Sequence, residues 1–256
     1  MPFEYIGIDE AIARSGLRMV VVGGVPSPWG EAAKGILHIK RIEWAAVRLE
    51  YDSHALKRWA GQRTGPIAIY ESEAPRAGWD EILLLAERLA PTPALLPADP
   101  AQRDAVLALG RELCGEGGLG WWRRLQLVHA GLHGGGGFPE PVAKYLGKKY
   151  GYSPEAGEAA GGHVVEKLGE LASRLKAQGA AGSGYLVGDS LTAADIYSAT
   201  FVAMFRPLPA AQCAMESSTR AAFERCDATT LAALDPVLLE HRDRVYRDHL
   251  ELPLSL

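Results

Sequence analysis

The stretch Tyr185-Leu186-Val187-Gly188-Asp189-Ser190-Leu191-Thr192-Ala193-Ala194-Asp195-Ile196 decides how the chain is read. Thr192 can accept a hydrogen bond from the N–H of Asp195, and Asp195 can reach back to the N–H of Thr192. Leu191 and Ile196 flank the pair as a hydrophobic staple, which together fixes a helix start inside a core. By spacing alone this is a helix cap and nothing more. The sequence on both sides is helical as well. Upstream, Ser153-Pro154 opens a helix expected to reach about Gln178, with Val164, Val165, Leu168, Leu171, Ala172 and Leu175 at steps of three and four. Downstream, Asp235-Pro236 begins an amphipathic helix to Leu250, with Val237, Leu238, Val245 and Leu250 inward and charges outward. Asp99-Pro100-Ala101-Gln102 supplies an N-cap carboxylate, a proline at the first helical position and a glutamine three residues on, for a helix to about Cys114. Between these lie Gly117-Gly118 and four glycines at 134–137, each costing ~1 kcal/mol in a helix interior relative to Ala. Only residues 121–132 are expected to be helical there.

The first third of the chain has a different period. Residues 17–23, LRMVVVG, form a short β-branched run ending in glycine, a buried strand. After Val25-Pro26-Ser27-Pro28-Trp29 a helix is expected to about Ile39, then a strand over 42–49 and a short helix started by Asp52/Ser53. Gly65-Pro66 leads into Ile67-Ala68-Ile69-Tyr70, a strand with proline at its start, where a missing N–H does least damage. Trp79 to Leu89 then presents a helical apolar face. The proline-rich stretch Pro91-Thr92-Pro93-Ala94-Leu95-Leu96-Pro97-Ala98 cannot continue that helix. The expected organisation is therefore an α/β domain over 1–90, a linker over 91–98 and an all-helical domain over 99–256.

Composition narrows the function classes. Of 256 residues, 48% are hydrophobic and 23% charged, the balance of an ordinary globular protein rather than of a disordered or collagen-like chain. Lys and Arg number 27 against 31 Asp and Glu, a net charge of -4 that lacks the basic excess nucleic-acid binding needs. The three cysteines, Cys114, Cys213 and Cys226, are scattered and form no CxxC pair, so neither a disulfide framework nor a zinc site is indicated. The N-terminal residues lack a basic patch followed by an apolar run, and no stretch reaches ~18 consecutive apolar residues. A cytoplasmic protein without membrane attachment is the expectation.

The aromatic-Leu-Val-Gly-Asp-x-Leu-Thr-x-Ala-Asp-Ile string of 185–196 resembles the capping segment in the helical domain of glutathione S-transferases. That family joins a thioredoxin-like N-terminal domain to an all-α C-terminal domain, the order and linker read above. The resemblance implies glutathione as co-substrate, an apolar or electrophilic small molecule as second substrate, and a homodimer. It places the catalytic position just after the first strand, on Ser27 in Ser27-Pro28-Trp29, with Trp29 beside it. It likewise implies that Gly65 and Pro66 are the pair whose backbone meets the cysteinyl main chain of glutathione. Where family members carry Glu/Gln-Ser for the γ-glutamyl end, this chain has Ala77-Gly78-Trp79, leaving Arg76, Trp79 and Asp80 as candidates for a modified pocket. Trp121, Trp122, Arg123 and Arg124 with His129 lie on the helix that in the family faces the cleft, where aromatic and cationic groups could hold an apolar or anionic electrophile.

Each of these residues has a plainer reading. Ser27 is either a helix cap or a hydroxyl that stabilises a thiolate at a helix N-terminus, where backbone dipoles favour an anion. Adjacent tryptophans point to different faces, so one of Trp121 and Trp122 belongs to the core or to a dimer contact. His129 and His133 share helical spacing without an acidic third ligand, which argues against a metal. The missing Glu/Gln-Ser pair keeps open a binding protein without catalysis, and a glutathione-dependent isomerase or lyase would use the same first domain.

Overall fold

The computed structural model describes residues 4–256. Strand β1 (Tyr5–Ile6) and helix α1 (Ile8–Ala13) precede β2 (Leu17–Val21), α2 (Pro28–Ile39), β3 (Trp44–Arg48), α3 (His54–Ala60), β4 (Ile67–Tyr70) and α4 (Trp79–Leu89). The four strands form one sheet in the order β1-β3-β2-β4. β2 runs parallel to β3, with Met19 opposite Ala46, and antiparallel to β4, with Met19 opposite Ala68. Every residue of β2 is buried, as its β-branched run demands. Beyond β4 the sheet continues only as a single antiparallel bridge, Ala68 with Arg76.

Two elements lie outside the expected set at this end. β1 is two residues long and α1 six, too short to show a period. β1 adds an edge to the sheet next to β3.

The helical region comprises α5 (Pro100–Cys114), α6 (Leu119–Leu132), α7 (Glu140–Tyr150), α8 (Pro154–Ala180), α9 (Ala193–Val202), α10 (Ser217–Glu224), α11 (Ala228–Ala233) and α12 (Pro236–His249). Asp99 caps α5 through Gln102 N–H at 2.9 Å, and Ser153 caps α8 through Ala156 N–H at 3.1 Å. The expectation of a single helix across 115–153 is corrected: α7 is a second one. It starts after the glycine run and carries proline at its second position, where a missing N–H is harmless.

The decisive stretch folds as a buried cap. Asp195, with no exposed surface, accepts from Thr192 N–H and Thr192 Oγ1 at 2.9 Å each, from Leu186 N–H at 2.8 Å and from His241 Nε2 at 3.0 Å. The Asp195 N–H is paired with the Thr192 carbonyl at 3.2 Å. All of α9 is buried, and α2, α5 and α12 pack on it. The largest apolar cluster accordingly runs without a break from Met19 and Ile36 to Leu168 and Phe201, joining the sheet region to the helices.

A cavity between the sheet and the helices

Ser27 is the N-cap of α2. Its carbonyl accepts from Glu31 N–H at 2.7 Å, yet its side chain makes no capping hydrogen bond. The loop that delivers it turns at Gly24, whose φ of +73° is a left-handed conformation that residues with a side chain rarely adopt. Ser27 lines a cavity of about 800 Å3 together with Gly65, Pro66 and Ala77. The Gly65-Pro66 peptide is cis, and Gly65 lies so close to β2 that an added Cβ would sit 3.4 Å from the Val20 carbonyl oxygen.

Trp29, in the first turn of α2, forms the floor next to Ser27. Its indole N–H donates to the Cys114 carbonyl at 2.8 Å, and its ring packs edge-on against Phe201 at 4.8 Å. The opposite wall comes from α6 and α7. Trp121 and Arg124, one turn apart on α6, face the cavity together, and Val142, Tyr145, Leu146 and Lys149 repeat along one face of α7. Val142 and Tyr145 are 42% and 43% exposed, and Tyr51 across the opening is 46% exposed, large apolar groups left at the mouth of the cavity. Tyr51 and Tyr145 touch edge to face at 5.2 Å, and Lys149 Nζ donates to Thr64 Oγ1 at 2.8 Å, so α7 is fastened across the opening at two points.

The lining contains two cations and no carboxylate. Arg124 is buried beneath the rings of Trp29, Phe138 and Phe223, at 5.3 to 5.9 Å from each centroid. Burial holds its guanidinium below its ordinary range, opposed by a hydrogen bond to Tyr150. Burial likewise lowers Lys149, and the neighbouring Arg124 charge adds to that. Burial raises the phenols of Tyr51 and Tyr150 above theirs.

The other expected residues stand elsewhere. Arg76 pairs its backbone with Ala68 and its side chain with Glu73 at 2.7 Å. Trp79 packs against Tyr197 at 5.5 Å, in the wedge between α4 and α9. Trp122 stacks on His163 at 4.1 Å. Arg123 is fully buried on the far side of α6, donating to the carbonyls of Phe223 and Arg225 at 2.8 and 2.7 Å, and burial lowers its pKa to about 10. His129 meets the Tyr152 hydroxyl at 3.1 Å and the His133 ring at 4.3 Å. Successive helical residues are about 100° apart, so a wall that includes Trp121 takes Arg124 with it and turns Trp122 and Arg123 away.

At the N-terminus of α4, where the γ-glutamyl pair was missing, Glu81 folds back on the backbone. Its Oε2 accepts from Gly78 N–H at 2.8 Å and Ala77 N–H at 3.1 Å, while Asp80 Oδ1 accepts from Glu81 N–H at 3.0 Å. Three N–H groups at and just before this helix start are therefore met by the chain's own carboxylates. Among the described residues no group of three or more His, Cys, Asp or Glu side chains could hold a metal, and no helix is long and apolar enough to cross a membrane.

Residues 143–219 match the family model described as glutathione S-transferase, C-terminal domain. With the four-stranded mixed sheet before it, the molecule has the thioredoxin-like plus helical fold of the glutathione S-transferases. A glutathione S-transferase from Methylobacterium radiotolerans, in complex with glutathione sulfonate, is similar at TM-score 0.61 and 18% identity, over 91% of this chain and 91% of its own. A rice glutathione transferase in complex with glutathione is similar at 0.59 and 20%, over 94% and 93%. A bacterial maleyl pyruvate isomerase of the Zeta class is similar at 0.52 and 20%, over 86% and 98%. No curated protein matches the chain in sequence.

Proposed function

We propose that the chain is a glutathione transferase-like enzyme in which Ser27 stabilises a thiolate for attack on an electrophilic or apolar small molecule. One observation carries the reading: Ser27 stands at a helix N-terminus, its side chain does not cap that helix, and the residue lines the cavity. A plain cap would direct its oxygen at the N–H groups of α2. A hydroxyl that does not can donate its proton to an anion placed before the helix, and the positive end of the helix dipole favours the same charge. The absence of carboxylates from the lining, with two cations in it, lowers the cost of a thiolate further. When bound, glutathione would supply the sulfur nucleophile. Ser27, Gly65, Pro66 and Ala77 fit its cysteinyl part, with Trp29 fixing the turn beneath. The γ-glutamyl end finds no hydroxyl at Ala77-Gly78, and the carboxylates of that turn, Glu81 and Asp80, lie outside the lining and are engaged with backbone N–H groups.

The division into 1–90, 91–98 and 99–256, the homodimer and the cytoplasmic location belong to the same proposal. A second reading, a ligand-binding protein without transfer chemistry, is favoured by one observation, Glu81 on the Ala77 and Gly78 N–H groups where the family pattern has a ligand-binding pair. Glutathione-dependent isomerisation also suits the cavity, and one similar structure is an isomerase. Calorimetric titration of reduced glutathione into the wild type and Ser27→Ala tests the proposal. Saturable binding with ultraviolet thiolate absorbance in the wild type, lost in the variant, supports it. Binding without thiolate in either favours the second reading, and no heat in either overturns the proposal.

A further inference from the structure

Arg124 is a charged group without a charged partner. The residue is 6% exposed, three aromatic rings surround its guanidinium, and no Asp or Glu lines the cavity. A buried guanidinium satisfied only by a phenol and ring faces retains most of its desolvation cost, which an anion in the cavity would offset. Lys149 stands in the same lining within the field of Arg124, so the two cations repel and share a preference for one negative group. Around them the wall is apolar: Trp29, Trp121, Phe138, Tyr145, Leu146 and Phe223.

We propose that this cavity selects a small molecule with an aromatic or aliphatic body and a carboxylate, the carboxylate held by Arg124 and Lys149 and the body by the ring cluster. The proposal rests on the reading of the cavity as a substrate site and names the class of its second substrate. Guanidinium binds carboxylate through paired N–H donors, a geometry that an amide of the same shape cannot match in charge or strength.

The test compares 4-phenylbutyrate with 4-phenylbutanamide by calorimetry, first without glutathione. The acid is expected to bind at least about 10-fold more tightly, a hydrogen bond to a charged group being worth that much or more. Arg124→Met should remove most of this preference while leaving the amide within about twofold, and Lys149→Met should reduce it several-fold where Thr64→Val, which removes only the Lys149 bond across the opening, leaves it unchanged. Equal affinity for acid and amide, or an unchanged preference in Lys149→Met when Arg124→Met does not fold, overturns the proposal. A repeat with saturating glutathione separates the two sources of carboxylate. Retained binding of the acid supports a second substrate, whereas competitive displacement assigns the cations to the tripeptide's own carboxylates and overturns it. If glutathione gives no heat, the thiol-activation reading fails, and the acid preference still decides this one.

Discussion

Asn at position 195 preserves the volume of the aspartate and removes its charge and one acceptor. The carboxylate takes four donors at 2.8 to 3.0 Å with no exposed surface. In Asp195→Asn the amide oxygen can keep Leu186 N–H and His241, which turns the NH2 toward Thr192. The Thr192 hydroxyl can rotate to accept from it, but the Thr192 N–H cannot. A buried donor left unmet costs about 1–3 kcal/mol, and two charge-assisted bonds that become neutral lose about 1 kcal/mol each. The expected destabilisation is about 3–5 kcal/mol. Taking a urea slope of about 3 kcal/mol/M for a chain of this size, the midpoint should fall by about 1–1.7 M, followed by circular dichroism. Asp99→Asn is the control, because Asp99 caps an exposed helix start through one bond and Asn serves as well as Asp there. A shift below about 0.3 M in Asp195→Asn, or equal shifts in the two variants, would refute the view that the network beyond the cap holds this segment.

Three further outcomes are expected. A Cβ on Gly120 would meet Phe201 at 2.2 Å and Trp29 at 3.0 Å, so Gly120→Ala should cost about 1–3 kcal/mol in urea unfolding and shift tryptophan emission. Burial raises the Glu31 carboxyl, with the Lys34 ammonium at 2.6 Å opposing. The native state therefore holds its proton to higher pH than the unfolded chain, and stability falls as pH rises from the ordinary value of 4.5 through the raised one. Urea midpoints across that window should lose this slope in Glu31→Gln. Thr64→Val with Tyr145→Ala removes both fastenings of α7, and acrylamide should then quench tryptophan fluorescence more strongly with little change in the unfolding midpoint, since both contacts are exposed.

The elements legible in the sequence were those with a long period or a covalent marker. Helix α8 showed itself through repeated apolar spacing, α5 and α12 through Asp-Pro starts, and β2 through a β-branched run. β1 is too short to carry any period, and the bridge at Arg76 is a single pair with no pattern of its own. Helix α7 was hidden by the glycines and prolines before it, although Val142, Tyr145, Leu146 and Lys149 repeat at helical spacing and form the wall of the cavity. Ser27, Trp29, Gly65, Pro66 and Trp121 do line that cavity, whereas Arg76, Trp79, Trp122, Arg123 and His129 do not. The signal that separates Arg124 from Arg123 is rotational: only Arg124 lies one helical turn from Trp121. Its lack of an acidic partner is a fact of three dimensions that no local pattern contains.

The Trp29 indole, two residues from Ser27, is hydrogen-bonded to the last residue of α5 and wedged against α9. The first turn of α2 is thus positioned by helices that follow it by more than 80 residues in sequence. The sheet region cannot swing away from the helices without breaking that bond and opening the shared apolar cluster. Nor would the first ninety or so residues, cut free, keep the hydroxyl aimed where it is. The molecule should therefore melt in a single transition, and its reactive centre should be lost with the first loosening between its halves.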